Sequence, residues 1–233
     1  PSWNDNALLA QMAASHSYAL ALGEPMQVNA ALCAGWTDAD VLKARWGDDF
    51  DANYARFAAL ADKVAGALLC YHGAPAAACY HSISSGVTEA SQNVWTSALP
   101  YLQGVASPWD KTADGYETTI TYSLEQVDAI LQDLGLTADT LTDTAPAAWF
   151  GAAQWDEAGY VAEMTVCGER FSGTRLRRAL ALRSACFSVE YKDGAFVFTT
   201  HGYGHGVGLS HHGAQAMAEG GADWREILTY YFP

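Results

Sequence analysis

Basic residues are scarce in this 233-residue chain: 12 Lys and Arg stand against 26 Asp and Glu, a formal net charge of −14. Nucleic acid is excluded as a partner on that ground, because phosphate binding depends on Lys and Arg displacing counterions. An anionic membrane surface is disfavoured for the same reason. Long apolar runs are missing too: no stretch reaches the roughly 18–20 apolar residues of a membrane span. The opening residues Pro1-Ser2-Trp3-Asn4-Asp5-Asn6 lack the basic and apolar regions of a signal peptide, so a targeting or anchor segment is expected upstream of them. Five cysteines (Cys33, Cys70, Cys79, Cys167 and Cys186) are too few and too scattered for a disulfide scaffold, and an odd number leaves one unpaired. No G-x-S-x-G elbow supports serine hydrolase chemistry. Internal repeats and low-complexity tracts do not occur.

What the chain does have is apolar bulk. Half its residues are hydrophobic and 12% are aromatic, enough for a packed core and incompatible with global disorder. The 3–4 spacing of Ala7, Leu8, Gln11, Met12, Ser15, Tyr18 and Ala19 predicts a helix over 4–21. Asn4 or Asp5 would cap it, and Gly23-Glu24-Pro25 would end it. A second helix is expected over 37–66, opened by Thr37-Asp38-Ala39-Asp40. Residues 68–71 and 76–80 read as a hairpin about a turn at 72–75, and 116–122 as a strand.

Ser123-Leu124-Glu125-Gln126 is a capping-box pattern heading a helix that Gly135 stops, and 136–152 reads as a loop. Strands are expected at 160–167, 186–191 and 195–200, with an Asp193-Gly194 turn between the last two. A basic helix is expected at 173–182, and helical ends at 214–218 and 224–232. With no βαβ rhythm, the fold class is α+β. One compact domain over 1–233 is expected, with helices packed on an antiparallel, hairpin-rich sheet.

Residues 201–213 hold four of the seven histidines and five glycines. Glycine lets backbone amides approach a ligand closely, and histidine supplies a titratable donor or acceptor near neutrality. The spacings match neither a zincin helix nor a zinc finger, and no Lys-Ser/Thr follows as in a phosphate cradle. A tight connection with solvated histidines is the plainer reading; a catalytic or glycan-binding loop is the leading one. Residues 80–90 form a second cluster, with His81, Ser82, Ser84, Ser85, Thr88 and Glu89 on a turn after a strand. These offer many partners for a hydroxylated ligand. Alternatively this is an ordinary Ser-rich turn whose Thr88 caps a helix. Cys70, His72, Cys79 and His81 could face one another across the first hairpin as a zinc set, although core packing is the usual role of such cysteines.

The run Gly202-Tyr203-Gly204-His205-Gly206-Val207-Gly208-Leu209-Ser210, with Gly213-Ala214 beyond it, resembles the signature of the stage II sporulation protein D family (SpoIID/LytB). So do the turn at 84–89, Trp95 with Pro100-Tyr101-Leu102, and Phe171-Ser172-Gly173 with Arg177, Leu180, Ser184 and Phe187. Ile227-Leu228 and Tyr230-Tyr231 complete a series in register from residue 6 to 232. The resemblance implies a peptidoglycan lytic transglycosylase working outside the cytoplasmic membrane, with no cofactor. Glycan strands would be its substrate. Other cell-wall hydrolases or a membrane-anchored sporulation complex would be its partners.

In that family the first helix carries the catalytic Glu. Here Asn6 occupies its place, and His16 stands where the family has Arg. An amide cannot deliver a proton as a carboxylic acid does. Either the chain is catalytically silent, as a glycan-binding or amidase-enhancing module, or a neighbour such as Glu89 supplies the acid. Asp5 points about 100° away from Asn6 on the helix and is a poor substitute. His211 replaces a family Gln, and of the Cys/His zinc cluster of some relatives only Cys33 remains. The resemblance implies substrate contacts from Gln11, Ser84, Ser85, Gly86, Thr88, Tyr203, Gly204, His205, Gly206, Ser210 and His211. Trp95 and Tyr203 would stack on sugar faces. The helix, the turn and the loop are expected to line one groove.

Overall fold

A computed structural model describes residues 1–23, 37–95, 97–137, 141 and 143–233. Its first half runs through α1 (Asp5–Leu22), α2 (Ala39–Trp46), α3 (Phe50–Val64), β1 (Cys70–Tyr71), β2 (Ala74–Pro75), β3 (Tyr80–His81), α4 (Ser91–Val94), β4 (Glu117–Ser123) and α5 (Leu124–Asp133). Then follow β5 (Phe150–Trp155), β6 (Val161–Val166), β7 (Glu169–Ser172), α6 (Gly173–Ala179), β8 (Phe187–Lys192), β9 (Ala195–His201), β10 (Leu209–Ser210), α7 (His211–Glu219) and α8 (Trp224–Tyr231). The class is α+β, as the sequence implies. Contacts divide the chain into two compact units, Pro1–Tyr80 with Ala214–Phe232, and His81–Gly213 with Pro233.

In the first unit Asn4 is the cap of α1, its side chain accepting from the Asn6 amide at 2.9 Å. Asp5 pairs instead with Arg56 of α3. The buried face of α1 is Ala7, Leu9, Ala10, Ala13, Ala14 and Ser17, rotated from the stripe that the spacing of Leu8, Met12 and Tyr18 implies. Small side chains let α3 and α8 pack close on that face. The helix expected over 37–66 is two helices, because Gly47 takes φ 54° and closes α2. Asp38 caps α2 through the Val41 amide. In the first hairpin the turn is His72-Gly73, with φ 50° and 80°, so the return strand is β2 rather than 76–80. Gly23 caps the end of α1; Glu24, Pro25 and Cys33 lie outside the described residues.

The second unit is built on two antiparallel sheets, in the orders β4-β9-β8 and β5-β6-β7. Asp193-Gly194 turns β8 into β9, and Ser123 and Gln126 form the expected capping box of α5. Val127 and Leu131 of α5, Leu176 of α6, and Phe187, Phe196 and Phe198 share one buried core. Strands β5 and β7 were not foreseen. Most of β5 is exposed and it lacks apolar alternation; its pairing comes from β6.

Two backbone segments approach closely where α6 begins. A Cβ on Gly173 would stand 1.9 Å from the Val161 carbonyl oxygen. Gly173→Ala should therefore destabilise the fold by about 1–3 kcal/mol, the cost of overpacking. Urea unfolding of the variant against the parent measures it, and an unchanged midpoint would contradict the contact.

Candidate functional site

In the second unit the Ser-rich turn and the Gly-rich loop meet over one buried carboxylate. Asp110 has no solvent exposure. Its Oδ2 accepts from the Ser84 amide at 2.9 Å and from Ser84 Oγ at 2.5 Å. Its Oδ1 accepts from Ser210 Oγ at 2.7 Å. Each hydroxyl accepts in turn, Ser84 Oγ from the Gly86 amide and Ser210 Oγ from the Gly213 amide. Backbone pairing extends the seam: Tyr203 and Ile83 exchange amide bonds at 2.7 and 3.0 Å, and the Glu89 amide donates to Gly206 at 2.7 Å.

This seam requires glycine at several points, Gly204 and Gly206 among them. A Cβ on Gly204 would stand 2.7 Å from His81 Cβ, and one on Gly206 would stand 2.5 Å from Tyr160 Oη. Tyr160 itself is a clasp, accepting from the Ser85 amide at 3.0 Å.

Several hydroxyls expected to meet a ligand are engaged inside the fold. Ser84, Thr88 and Ser210 have no exposure. Ser85 Oγ donates to the Ala158 carbonyl, and Thr88 Oγ1 accepts from the Val105 amide rather than capping α4. The outward-facing candidates are aromatic: Trp95 is 37% exposed and Tyr203 is 48% exposed. The Trp95 ring lies 5.0 Å from that of His205, and the Arg183 guanidinium sits 4.2 Å over the Tyr203 ring.

Glu89 is 2% exposed and its Oε1 accepts from the Ala90 amide and from Asn93 Nδ2. Burial, reinforced by the nearby Asp156 carboxyl, raises its pKa to about 8. Near neutrality it is protonated, as a general acid must be, but its side chain is withdrawn from solvent. Burial has the opposite effect on His211 and His81. His211 is lowered to about 4, with His212 adding to the shift, and His81 lies well below its usual value.

Asn6 and Gln11 belong to α1 in the first unit. Asn6 is half-buried; Gln11 Nε2 donates to Ser15 Oγ at 2.8 Å, while its buried Oε1 has no partner. Among the described residues no three His, Cys, Asp or Glu side chains are placed to hold a metal ion, which covers the set Cys70, His72, Cys79 and His81. Sequence reasoning missed Asp110, Asp156 and Tyr160 as members of the site. Nothing in Pro108-Trp109-Asp110 marks the carboxylate as buried. Its partners, the Ser84 amide and the Ser84 and Ser210 hydroxyls, lie far off in sequence.

Two predictions follow from this geometry. Asp110→Ala, which strands two hydroxyls and an amide, should cost about 2–4 kcal/mol of stability and Asp110→Asn less, measured by denaturant unfolding. The second concerns pH. The folded pKa of Glu89 lies above its ordinary 4.5, so its contribution is complete below 4.5 and is lost as pH rises through about 8. The folded pKa of His211 lies below its ordinary 6.5, so its contribution is complete above 6.5 and is lost as pH falls through about 4. In thermal melts, Glu89→Gln should flatten the alkaline limb and His211→Gln the acid limb. Parallel curves for variant and parent would refute the assignment.

No family model matches the chain. Among curated proteins it is 34% identical over 197 residues to stage II sporulation protein D of Bacillus amyloliquefaciens, covering 82% of this chain and 53% of that protein. Against stage II sporulation protein D of Bacillus subtilis (strain 168) the identity is 33% over 192 residues, with the same coverage. An amidase enhancer of Bacillus subtilis (strain 168) is 26% identical, covering 100% of this chain and 38% of that protein. The chain spans about half the length of the two sporulation proteins it matches. Over four-fifths of its residues this chain resembles the stage II sporulation protein D family.

Proposed function

We propose that this chain acts on the glycan strands of peptidoglycan, outside the cytoplasmic membrane, on a scaffold of the lytic transglycosylase type. The observation that carries the reading is the 34% identity to stage II sporulation protein D over 82% of the chain. The chemistry needs no water and no second carboxylate, unlike ordinary glycoside hydrolysis. One carboxyl protonates the glycosidic oxygen as the bond to C1 of N-acetylmuramic acid breaks. The C6 hydroxyl of the same sugar closes on C1, and the carboxylate takes its proton, leaving a 1,6-anhydro end.

That carboxyl is the weak point. Asn6 holds the family's acid position, and Glu89, though protonated near neutrality, is buried. The similarity to an amidase enhancer along the whole chain favours a second reading. In it the chain binds strands without cutting them and works with another wall hydrolase or within a membrane-anchored sporulation complex.

Incubation with glycan strands lacking stem peptides, followed by mass spectrometry for anhydro ends, separates the two. Pull-down on the strands without anhydro product supports the binding reading; neither binding nor product refutes both. Asn6→Glu should raise cleavage about 10²–10⁴-fold, the usual contribution of general acid catalysis. If Asn6→Glu is inert while Glu89→Gln abolishes an activity of the parent, the acid is Glu89.

A further inference from the structure

Acidic side chains outnumber basic ones 26 to 12 in this chain, so an arginine beside the Gly-rich loop should find a carboxylate easily. Arg183 has none. Among the described residues its guanidinium joins no ion pair, although Asp114 and Glu117 lie on either side of the Gly115 it rests against. Glu117 is held instead by His201 Nε2 at 2.9 Å.

Packing holds Arg183 where charge does not. Its Cζ lies 4.2 Å from the centre of the Tyr203 ring, and a Cβ on Gly115 would stand 3.0 Å from Nη1. Contact with an aromatic face and a glycine backbone sets the guanidinium in place before any ligand arrives. Stacking uses the face of the group, while its N–H bonds lie in the plane and point out from the edge. Nε is buried without an acceptor; Nη1 and Nη2 have no protein acceptor either, and they are not buried. Tyr203 beside them is 48% exposed. Arg177 is a second cation within electrostatic reach of Tyr203; its Nε donates to the Leu182 carbonyl at 3.3 Å, and it too joins no ion pair.

A fixed donor edge of this kind matches a carboxylate, whose two oxygens meet two parallel N–H bonds. On the glycan reading above, on which this inference rests, hydroxyls and acetamides are neutral. The anion of a peptide-free strand is the lactyl carboxylate at C3 of N-acetylmuramic acid. A chain of charge −14 repels such a strand unless a cation stands at the point of contact. We propose that Arg183 is a specificity-determining residue whose Nη1–H and Nη2–H donate to the lactyl carboxylate, with Tyr203 fixing the guanidinium and Arg177 adding positive charge. No bond forms or breaks; the contact tells peptidoglycan from a neutral polymer of N-acetylglucosamine.

The test measures binding of the whole chain to three soluble probes. These are peptide-free glycan strands, the same strands with their carboxyls converted to methylamides, and N-acetylglucosamine oligomers of equal length. The parent should bind the free-acid strands about tenfold more tightly than either neutral probe, the value of hydrogen bonding to one charged group. That margin should shrink as salt is added. Arg183→Gln should lose the margin and bind amidated strands as the parent does. Because the margin is a ratio within each protein, a folding defect does not imitate its loss. Equal binding of acid and amidated strands by the parent, or a margin unchanged in Arg183→Gln, overturns the proposal alone. Displacement of the strands by L-alanyl-D-glutamate assigns the carboxylate to a stem peptide and overturns the lactyl contact. No binding of any probe by the parent overturns the glycan reading with it.

Discussion

The carboxylate of Asp110 has no water around it, so its charge has to be met by protein donors, and donors with that reach come from two distant parts of the chain. Ser84 supplies an amide and a hydroxyl, Ser210 a hydroxyl, and 126 positions separate these residues. A buried charge short of its partners costs several kcal/mol, so the arrangement closes nearly all at once or not at all. Closing it draws the 84–89 turn against the 201–213 loop. The rest of the site is a consequence of how near that brings two backbones.

Near approach selects residue types on both sides. At Gly204 and Gly206 a methyl group would collide with His81 and Tyr160, so the alternation of glycine with larger residues is a packing requirement before it is anything else. The residues between the glycines then project in ordered directions. Tyr203 faces solvent, His205 lies beside Trp95, and Val207 is buried with both its backbone groups committed to imidazoles. Burial also makes the site electrically quiet within a chain of charge −14. Glu89 holds its proton near neutrality, and His81 and His211 do without theirs. Apart from the internally paired Asp110, neutral donors and acceptors flanked by exposed rings suit a polyhydroxylated ligand better than an ionic one.

Features set by neighbouring residues were legible in the sequence. The Ser123–Gln126 capping box and the Asp193-Gly194 turn are each decided within four residues, and both stand as expected. Features set by distant contacts were not. Strand β5 exists because β6 offers it a ladder, and its own residues, Gly151 and Ala152 among them, carry no period of two. The buried face of α1 is lined by alanines, which a search for large apolar side chains passes over. The Ser-rich turn is visible in the sequence, but the bonds of its hydroxyls are not: sequence shows that a hydroxyl is present, and only burial shows which carbonyl or carboxylate has already claimed it.

The same distinction bears on Asn6. Holding a strand depends on surfaces spread over many residues, and the loss of one side chain weakens it by a fraction. Proton transfer depends on one carboxyl, and an amide in its place removes the step entirely. Glu89 cannot be exchanged for it cheaply. Its amide is bonded to Gly206 and its carboxyl to the Ala90 amide and Asn93, so bringing the acid out to a sugar would break those bonds and end the burial that keeps it protonated. On the proposed reading, a chain with the Asp110 seam intact and an amide at position 6 would keep its hold on a strand, while cleavage would stand one side chain away.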